Sequence, residues 1–236
     1  MAANIELTLK DVMLSFPSLF SPKKSEFKDA QGNVTHTFSY ECNLIIDRDD
    51  PQVETVKKAI RTVLSEEWPN SPPTIPADRR CLRSGMVEDP DTGEQKARWD
   101  GYDGKVFVSC RRKVQSPHEP NPVQIIDGIR GPVDPETGKR PYPRLKESDG
   151  KIYAGAKVNA IIRIYAYNGA KDGNPHRINA SIEAVQFAGH GEKFGAKPVD
   201  VDSAFDEVEG LMEDGFSDGS GAQQGQSNSA IDDELL

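Results

Sequence analysis

The chain is short of the residues that build covalent or metal frameworks. Its three cysteines (Cys42, Cys81, Cys110) lie far apart and are odd in number, which leaves no self-contained disulfide set and points to reduced thiols. Its four histidines (His36, His118, His176, His190) are isolated, and none joins a cysteine at metal-ligand spacing, so no metal is expected. Carboxylates come in runs such as Glu66-Glu67 and Asp89/Asp91, at a helix end and in a turn. A metal-dependent nuclease needs several carboxylates gathered at strand ends, and that pattern is missing. Residues 131–140 (GPVDPETGKR) come nearest to a phosphate loop, but the spacing is wrong and no Ser or Thr follows Lys139, so they read as a turn. No catalytic residue and no cofactor is expected. Long apolar runs are absent too. Glu6, Lys10 and Asp11 interrupt the first 20 residues, and no stretch could span a bilayer, so the expectation is a soluble, intracellular protein.

Basic residues are absent from the last 37 positions. Of the 38 acidic residues, 11 fall at 200–236, where there is no Lys or Arg, so residues 1–199 hold 27 acidic against 29 basic residues. The net charge of −9 thus belongs to the end of the chain, and the body is free to hold a polyanion. Two domains are expected: a folded body at 1–199 and a disordered acidic tail at 200–236. Residues 214–229 are Gly, Ser, Gln, Asn and Asp with almost nothing to bury. Residues 201–212 could form a short transient helix, and the chain closes on Ile231, Asp232, Asp233, Glu234, Leu235 and Leu236, an acidic cluster capped by leucines.

The body reads as mainly β. Residues 37–46 alternate, with Phe38, Tyr40, Cys42, Leu44 and Ile46 on one side, read as core. Asp50-Pro51 is a helix start, and Val53, Val56, Ile60, Val63 and Leu64 follow at helical spacing up to Trp68-Pro69, with Trp68 read as packing. Further strands are expected at 105–114, 123–126 and 156–167. The last pairs with 177–187 as a hairpin. Residues 89–93 and 134–138, both Asp-Pro-x-Thr-Gly, mark turns at the tips of β-excursions. About five strands with one amphipathic helix and long loops fit an OB-fold-like small barrel, with a two-sheet sandwich as the alternative.

Alternation also sorts the candidate site. On the strand at 105–114, Lys105, Phe107, Ser109, Arg111 and Lys113 share the less apolar face. On the strand at 156–167, Lys157, Asn159, Ile161, Arg163, Tyr165 and Tyr167 point away from the apolar set. Between the two in sequence, a Gly-containing loop holds Arg98, Trp99 and Tyr102. Aromatic rings flanked by cations suit single-stranded nucleic acid: rings stack on bases at roughly 1–3 kcal/mol each, and cations follow the phosphates. The expected single-stranded-DNA-binding set is therefore Arg98, Trp99, Tyr102, Lys105, Phe107, Arg111, Lys113, Lys157, Arg163, Tyr165 and Tyr167. A protein- or RNA-binding module and a metal-dependent nuclease are the competing readings.

Residues 157–167 (KVNAIIRIYAY), Glu183 to Phe187 with Gly191-Glu192, residues 12–20 (VMLSFPSLF) and the strand 40–46 together resemble a family of phage and prophage single-stranded DNA-binding proteins, long labelled only as a domain of unknown function. The resemblance covers most of 5–196. It implies an OB-fold similar in layout to podophage single-stranded DNA-binding proteins, an acidic C-terminal tail and a tendency to dimerise. It further implies support of replication or recombination, without catalysis, in the cytoplasm of an infected bacterial host. The ending Asp232, Asp233, Glu234, Leu235 and Leu236 is similar in kind to the tails of such proteins and is expected to recruit replication partners such as a polymerase or helicase. The same tail is expected to compete with DNA for the groove.

Overall fold

The computed structural model describes residues 4–28, 32, 34–114 and 121–195, all within the first of two units of the chain, Met1–Ala196. The expectations for the acidic tail, from position 200 to Leu236, lie outside the described residues. Among the described residues there are nine strands and one α-helix: β1 (Asn4–Lys28), β2 (Val34–Asp47), α1 (Pro51–Glu67), β3 (Leu82–Ser84), β4 (Met86–Glu88), β5 (Gln95–Ala97), β6 (Lys105–Lys113), β7 (Gln124–Ile126), β8 (Lys157–Tyr167) and β9 (Arg177–Gly189).

Five of these strands close a barrel in the order β1-β2-β6-β9-β8 and back to β1. All the pairings are antiparallel except β6 with β9, which meet in parallel at Cys110 and Ala180. That contact makes the sheet a barrel rather than a two-sheet sandwich. Closure is possible because β1 serves two neighbours. Its first part pairs with β8, its later part with β2, and Met13 faces both Ile45 and Lys157. A strand that changes partner has to bend, and β1 does so at register shifts between Leu9 and Val12 and between Ser15 and Ser18. Two non-glycine residues there take positive φ, Asp11 (51°) and Phe16 (46°). The first bend is clamped from outside: Gln52 of α1 accepts from the Lys10 amide (2.6 Å) and donates to its carbonyl (3.0 Å), and Asn159 accepts from the Asp11 amide.

The barrel interior is filled by the alternating apolar faces of its strands: Leu9 and Leu14 of β1, Leu44 and Ile46 of β2, Val108 and Cys110 of β6, Ile162 and Ile164 of β8, and Ile182 of β9. Helix α1 caps this core with Val53, Val56, Ala59, Ile60 and Val63. It starts as expected, with the Asp50 side chain accepting from the Gln52 amide and Pro51 at the first turn, and Trp68 packs against the core. Phe38 corrects the reading of β2. Tyr40 is buried, but Phe38 is 36% exposed. Its partner is Lys24, on the stretch where β1 and β2 run on together past the barrel. Among the described residues Phe38 joins no core cluster, so alternation there does not mean burial. The turn at 89–93 joins β4 to β5, with Asp89 accepting from the Asp91 and Thr92 amides. Asp134 does the same for Glu136 and Thr137 in the second excursion.

Candidate nucleic-acid interface

The outer face of the β2–β6 pair is set by their register: Ser39 lies opposite Lys113, Glu41 opposite Arg111, Asn43 opposite Ser109, Ile45 opposite Phe107 and Asp47 opposite Lys105. Alternation thus puts Lys105, Phe107, Arg111 and Lys113 on one side, as the sequence implied. What covers that side differs along its length.

At the Phe107 end it is a second small core. Phe107 and Tyr102 are 2% and 0% exposed, packed with Ile45 and flanked by Met13 and Phe194. The loop at 98–104 folds back onto β6, and Gly101 (φ 77°) lies so close under the Phe194 ring that a Cβ there would collide with it. Asn43 donates to the Tyr102 hydroxyl at 2.9 Å, and burial pushes that phenol above its ordinary pKa. Base stacking needs an open ring face. Tyr102 and Phe107 offer none, which corrects their expected role to support. They carry Trp99, whose ring meets Tyr102 edge-on at 5.1 Å and Phe107 at 6.0 Å. Trp99 is 42% exposed, with the Arg98 guanidinium over it at 5.5 Å, and its other neighbour is Phe16 at 5.2 Å. Phe16 is 54% exposed, held outward by the strained bend of β1.

From Phe16 a groove of about 880 Å³ crosses the outer face, over β2 and β6 to the ends of β8 and β9. It contains four members of the expected set: Arg111, Lys113, Tyr165 and Tyr167. It also contains five residues that sequence reasoning missed: Phe16, Lys23, Arg80, Arg83 and Arg177. Among the described residues, six cations therefore line it against two carboxylates, Glu26 and Glu41. Glu41 is shared by Arg111 (3.2 Å) and Lys23 (4.0 Å). Arg111 is further held by Ser39, a fully buried hydroxyl that accepts from Nε at 2.9 Å and donates to Glu41. Arg80 and Arg83 spend Nε on backbone carbonyls, of Ile75 (2.7 Å) and Arg80 (2.8 Å). Arg80, Arg83, Lys113 and Arg177 pair with no carboxylate among the described residues. Tyr165 is half-buried, and that burial raises its phenol pKa against the opposing hydrogen bond with Asn179.

Arg163 lies just beyond the groove, near Glu6 (3.4 Å) and Glu183 (3.9 Å). Lys105 and Lys157 are not brought in. Lys105 pairs with Asp47 at 2.9 Å and Lys157 with Asp11 at 3.5 Å. With strands rising ~3.3 Å per residue, each is roughly 20 Å or more from Arg111 or Tyr165 on its own strand. The signal for Arg80 and Arg83 was legible as the basic run RRCLR at 79–83, whereas a positive φ at Phe16 has no sequence signature.

The groove floor also holds the three cysteines, all buried and reduced, with Cys42 opposite Cys110. Burial pushes the Cys81 thiol up to about 12, far from a reactive thiolate. Among the described residues no group of three or more His, Cys, Asp or Glu is placed to hold a metal ion, and no helix is long and apolar enough to cross a membrane.

A family profile described as "Enterobacter phage Enc34, ssDNA-binding protein" matches residues 5–216. A curated relative described as putative protein p50, from Acyrthosiphon pisum secondary endosymbiont phage 1, is 28% identical over 210 residues, covering 86% of this chain and 94% of that protein. Among solved structures, the single-stranded DNA-binding protein of bacteriophage Enc34 in complex with ssDNA aligns with a TM-score of 0.53 at 17% identity, over 80% of this chain and 89% of that one. A further structure of the Enc34 protein gives 0.51 at 18% identity, over 85% and 90%. At such identities the structural likeness speaks for the fold.

Proposed function

The chain belongs to the family of phage single-stranded DNA-binding proteins represented by that of Enterobacter phage Enc34, and from that premise we propose that its barrel binds single-stranded DNA with little regard to base sequence. The strand lies along the groove, from Phe16 and Trp99 across β2 and β6 to the β8–β9 end. One observation carries this reading: among the described residues, six cations against two carboxylates in an open channel, with two exposed aromatic rings at its mouth. Phosphates run past Lys23, Arg80, Arg83, Arg111, Lys113 and Arg177, while bases stack on Phe16 and Trp99. Such a surface reads charge and π-faces, which every base shares, so it tolerates any sequence.

Titration of oligo(dT) against the intrinsic Trp fluorescence of the full chain, in low and high salt, tests this. Quenching with salt-sensitive affinity is the expected result. Absence of binding to any single strand would overturn it, and capture of a protein or of RNA alone would favour an interaction module. Cleavage dependent on added divalent metal would favour a nuclease. Trp99→Ala in a folded chain should cost roughly 1–3 kcal/mol of oligonucleotide affinity with little change in salt slope, because stacking rather than charge is lost. Full affinity would remove Trp99 from the surface.

In the infected bacterial cytoplasm, such a protein would protect single strands during phage replication or recombination, acting by binding, as a homodimer. The acidic tail would return to the groove as a competing polyanion. Taken as a flexible chain of 37 residues, it reaches about 35 Å, enough to span a small domain. Once DNA displaces it, Asp232, Asp233 and Glu234 steer to a basic pocket on a polymerase or helicase, and Leu235 and Leu236 plug an apolar hollow there. Deleting residues 200–236 should tighten DNA binding, most visibly at low salt, since charge competition is screened as salt rises. Equal affinity of full and truncated chains across the salt range would rule the competition out.

A further inference from the structure

We propose that the chain leaving β9, from His190 to Gly195, is a clasp that sets Trp99 against Phe16 and so fixes the stacking surface at the mouth of the groove, with Phe194 as its positioning residue; this rests on the single-strand binding proposed above. Phe16 sits on β1 and Trp99 on the loop between β5 and β6, yet their rings meet edge-on at 5.2 Å. Each ring lies at one end of a series of contacts that passes through the clasp.

On the Phe16 side the series begins two residues back, at Leu14. Its amide donates to the Ala156 carbonyl (2.9 Å), and its carbonyl accepts from the Gly155 amide (2.7 Å). The clasp grips that same turn. The Tyr153 hydroxyl accepts from the Gly191 amide (3.2 Å) and reaches Nδ1 of His190 (3.1 Å), while the Phe194 amide donates to the Ala154 carbonyl (3.0 Å). Gly155 (φ 107°) lies so close to the Glu192 carbonyl that a Cβ there would collide with it. On the other side the clasp holds the two residues that follow Trp99. The Gly195 amide donates to Asp100 Oδ2 at 3.1 Å, and the Phe194 ring lies against Gly101 and packs on the small core of Ile45, Tyr102 and Phe107. Tyr102 and Phe107 support Trp99 from beneath, and the clasp adds a backbone link from its loop to β1, hence to Phe16. A stacking ring on a loose loop has to be ordered when a base arrives, and that ordering subtracts from affinity. Held by the clasp, the ring is ordered beforehand.

The test uses the full chain. Without DNA, and with Trp68→Phe leaving Trp99 as the one tryptophan, Phe194→Ala should shift the Trp99 emission to the red and lower its anisotropy, because the loop is let go. With oligo(dT), Phe194→Ala should weaken binding about tenfold, within what one stacked base contributes, at an unchanged salt slope because no charge is removed. In a Trp99→Ala chain the same substitution should cost almost nothing further, since its effect passes through that ring; a general loosening of the fold would weaken both chains alike. Should Phe194→Ala not fold, Phe194→Leu, which keeps apolar volume without the flat ring face, serves in the same cycle. Unchanged Trp99 emission, full affinity of the folded variant, or losses that add in the two backgrounds would overturn the clasp while leaving groove binding intact. Failure of the wild-type chain to bind oligo(dT) at all would instead strike the proposed function itself, and the emission without DNA would still decide whether the clasp holds the loop.

Discussion

An Arg83→Glu/Arg177→Glu double variant should bind oligo(dT) at least about 100-fold more weakly than the wild-type chain at low salt. Hydrogen bonds to charged groups contribute roughly 1.5–3 kcal/mol each, so two lost phosphate contacts account for about 100-fold before repulsion by the new carboxylates is counted. The salt slope should also flatten by about 1.4, at ~0.7 per contact with a single strand. These two positions carry the test better than Arg111 does. Arg111 is already engaged by Glu41 and Ser39, so its removal mixes lost phosphate contact with a freed carboxylate and a bare buried hydroxyl. Arg83 and Arg177 pair with no carboxylate among the described residues, and both lie toward solvent, so the fold should survive. A folded double variant with wild-type affinity and slope would remove the groove as the DNA track.

Phe107→Ala should act first on stability, lowering it by about 3–5 kcal/mol, as loss of a buried aromatic does in a well-packed site. That is a large part of the 5–15 kcal/mol typical of a domain, and urea unfolding would show it as a shifted midpoint. Phe107 sits on the outer side of β6 but under the 98–104 loop, in edge contact with Tyr102 at 5.2 Å and with Ile45 as its partner across the strands. Its truncation empties the support beneath Trp99, so affinity falls as a consequence of a loosened loop. An unshifted urea midpoint together with a loss of affinity would return Phe107 to the role of a stacking platform and contradict its burial.

Phe107 also marks where reading the residues stops. Periodicity alone determined the side of each strand: the inward sets Val106, Val108, Cys110 and Val158, Ala160, Ile162, Ile164, Ala166 were legible because a strand's side chains alternate with a period of two. The helix start at Asp50-Pro51, the hairpin of β8 with β9, and the concentration of negative charge past position 200 were legible for equally local reasons. So was the mainly β, OB-like character of the body. Everything that depended on what lies across a strand from something distant in sequence had to wait for the tertiary structure. Alternation cannot say that a loop will cover Phe107 and Tyr102, or that Phe38 will be left exposed. Nor can it say that Lys105 and Lys157 end up with Asp47 and Asp11, away from Arg111 and Tyr165. The groove exists because β1 bends at Phe16 and because β3 lies along the edge of β6 just before β6 meets β9, which brings Arg80 and Arg83 beside Arg177. Those are long-range pairings set by closure of the barrel, and closure is a property of the whole sheet that no single strand's pattern contains.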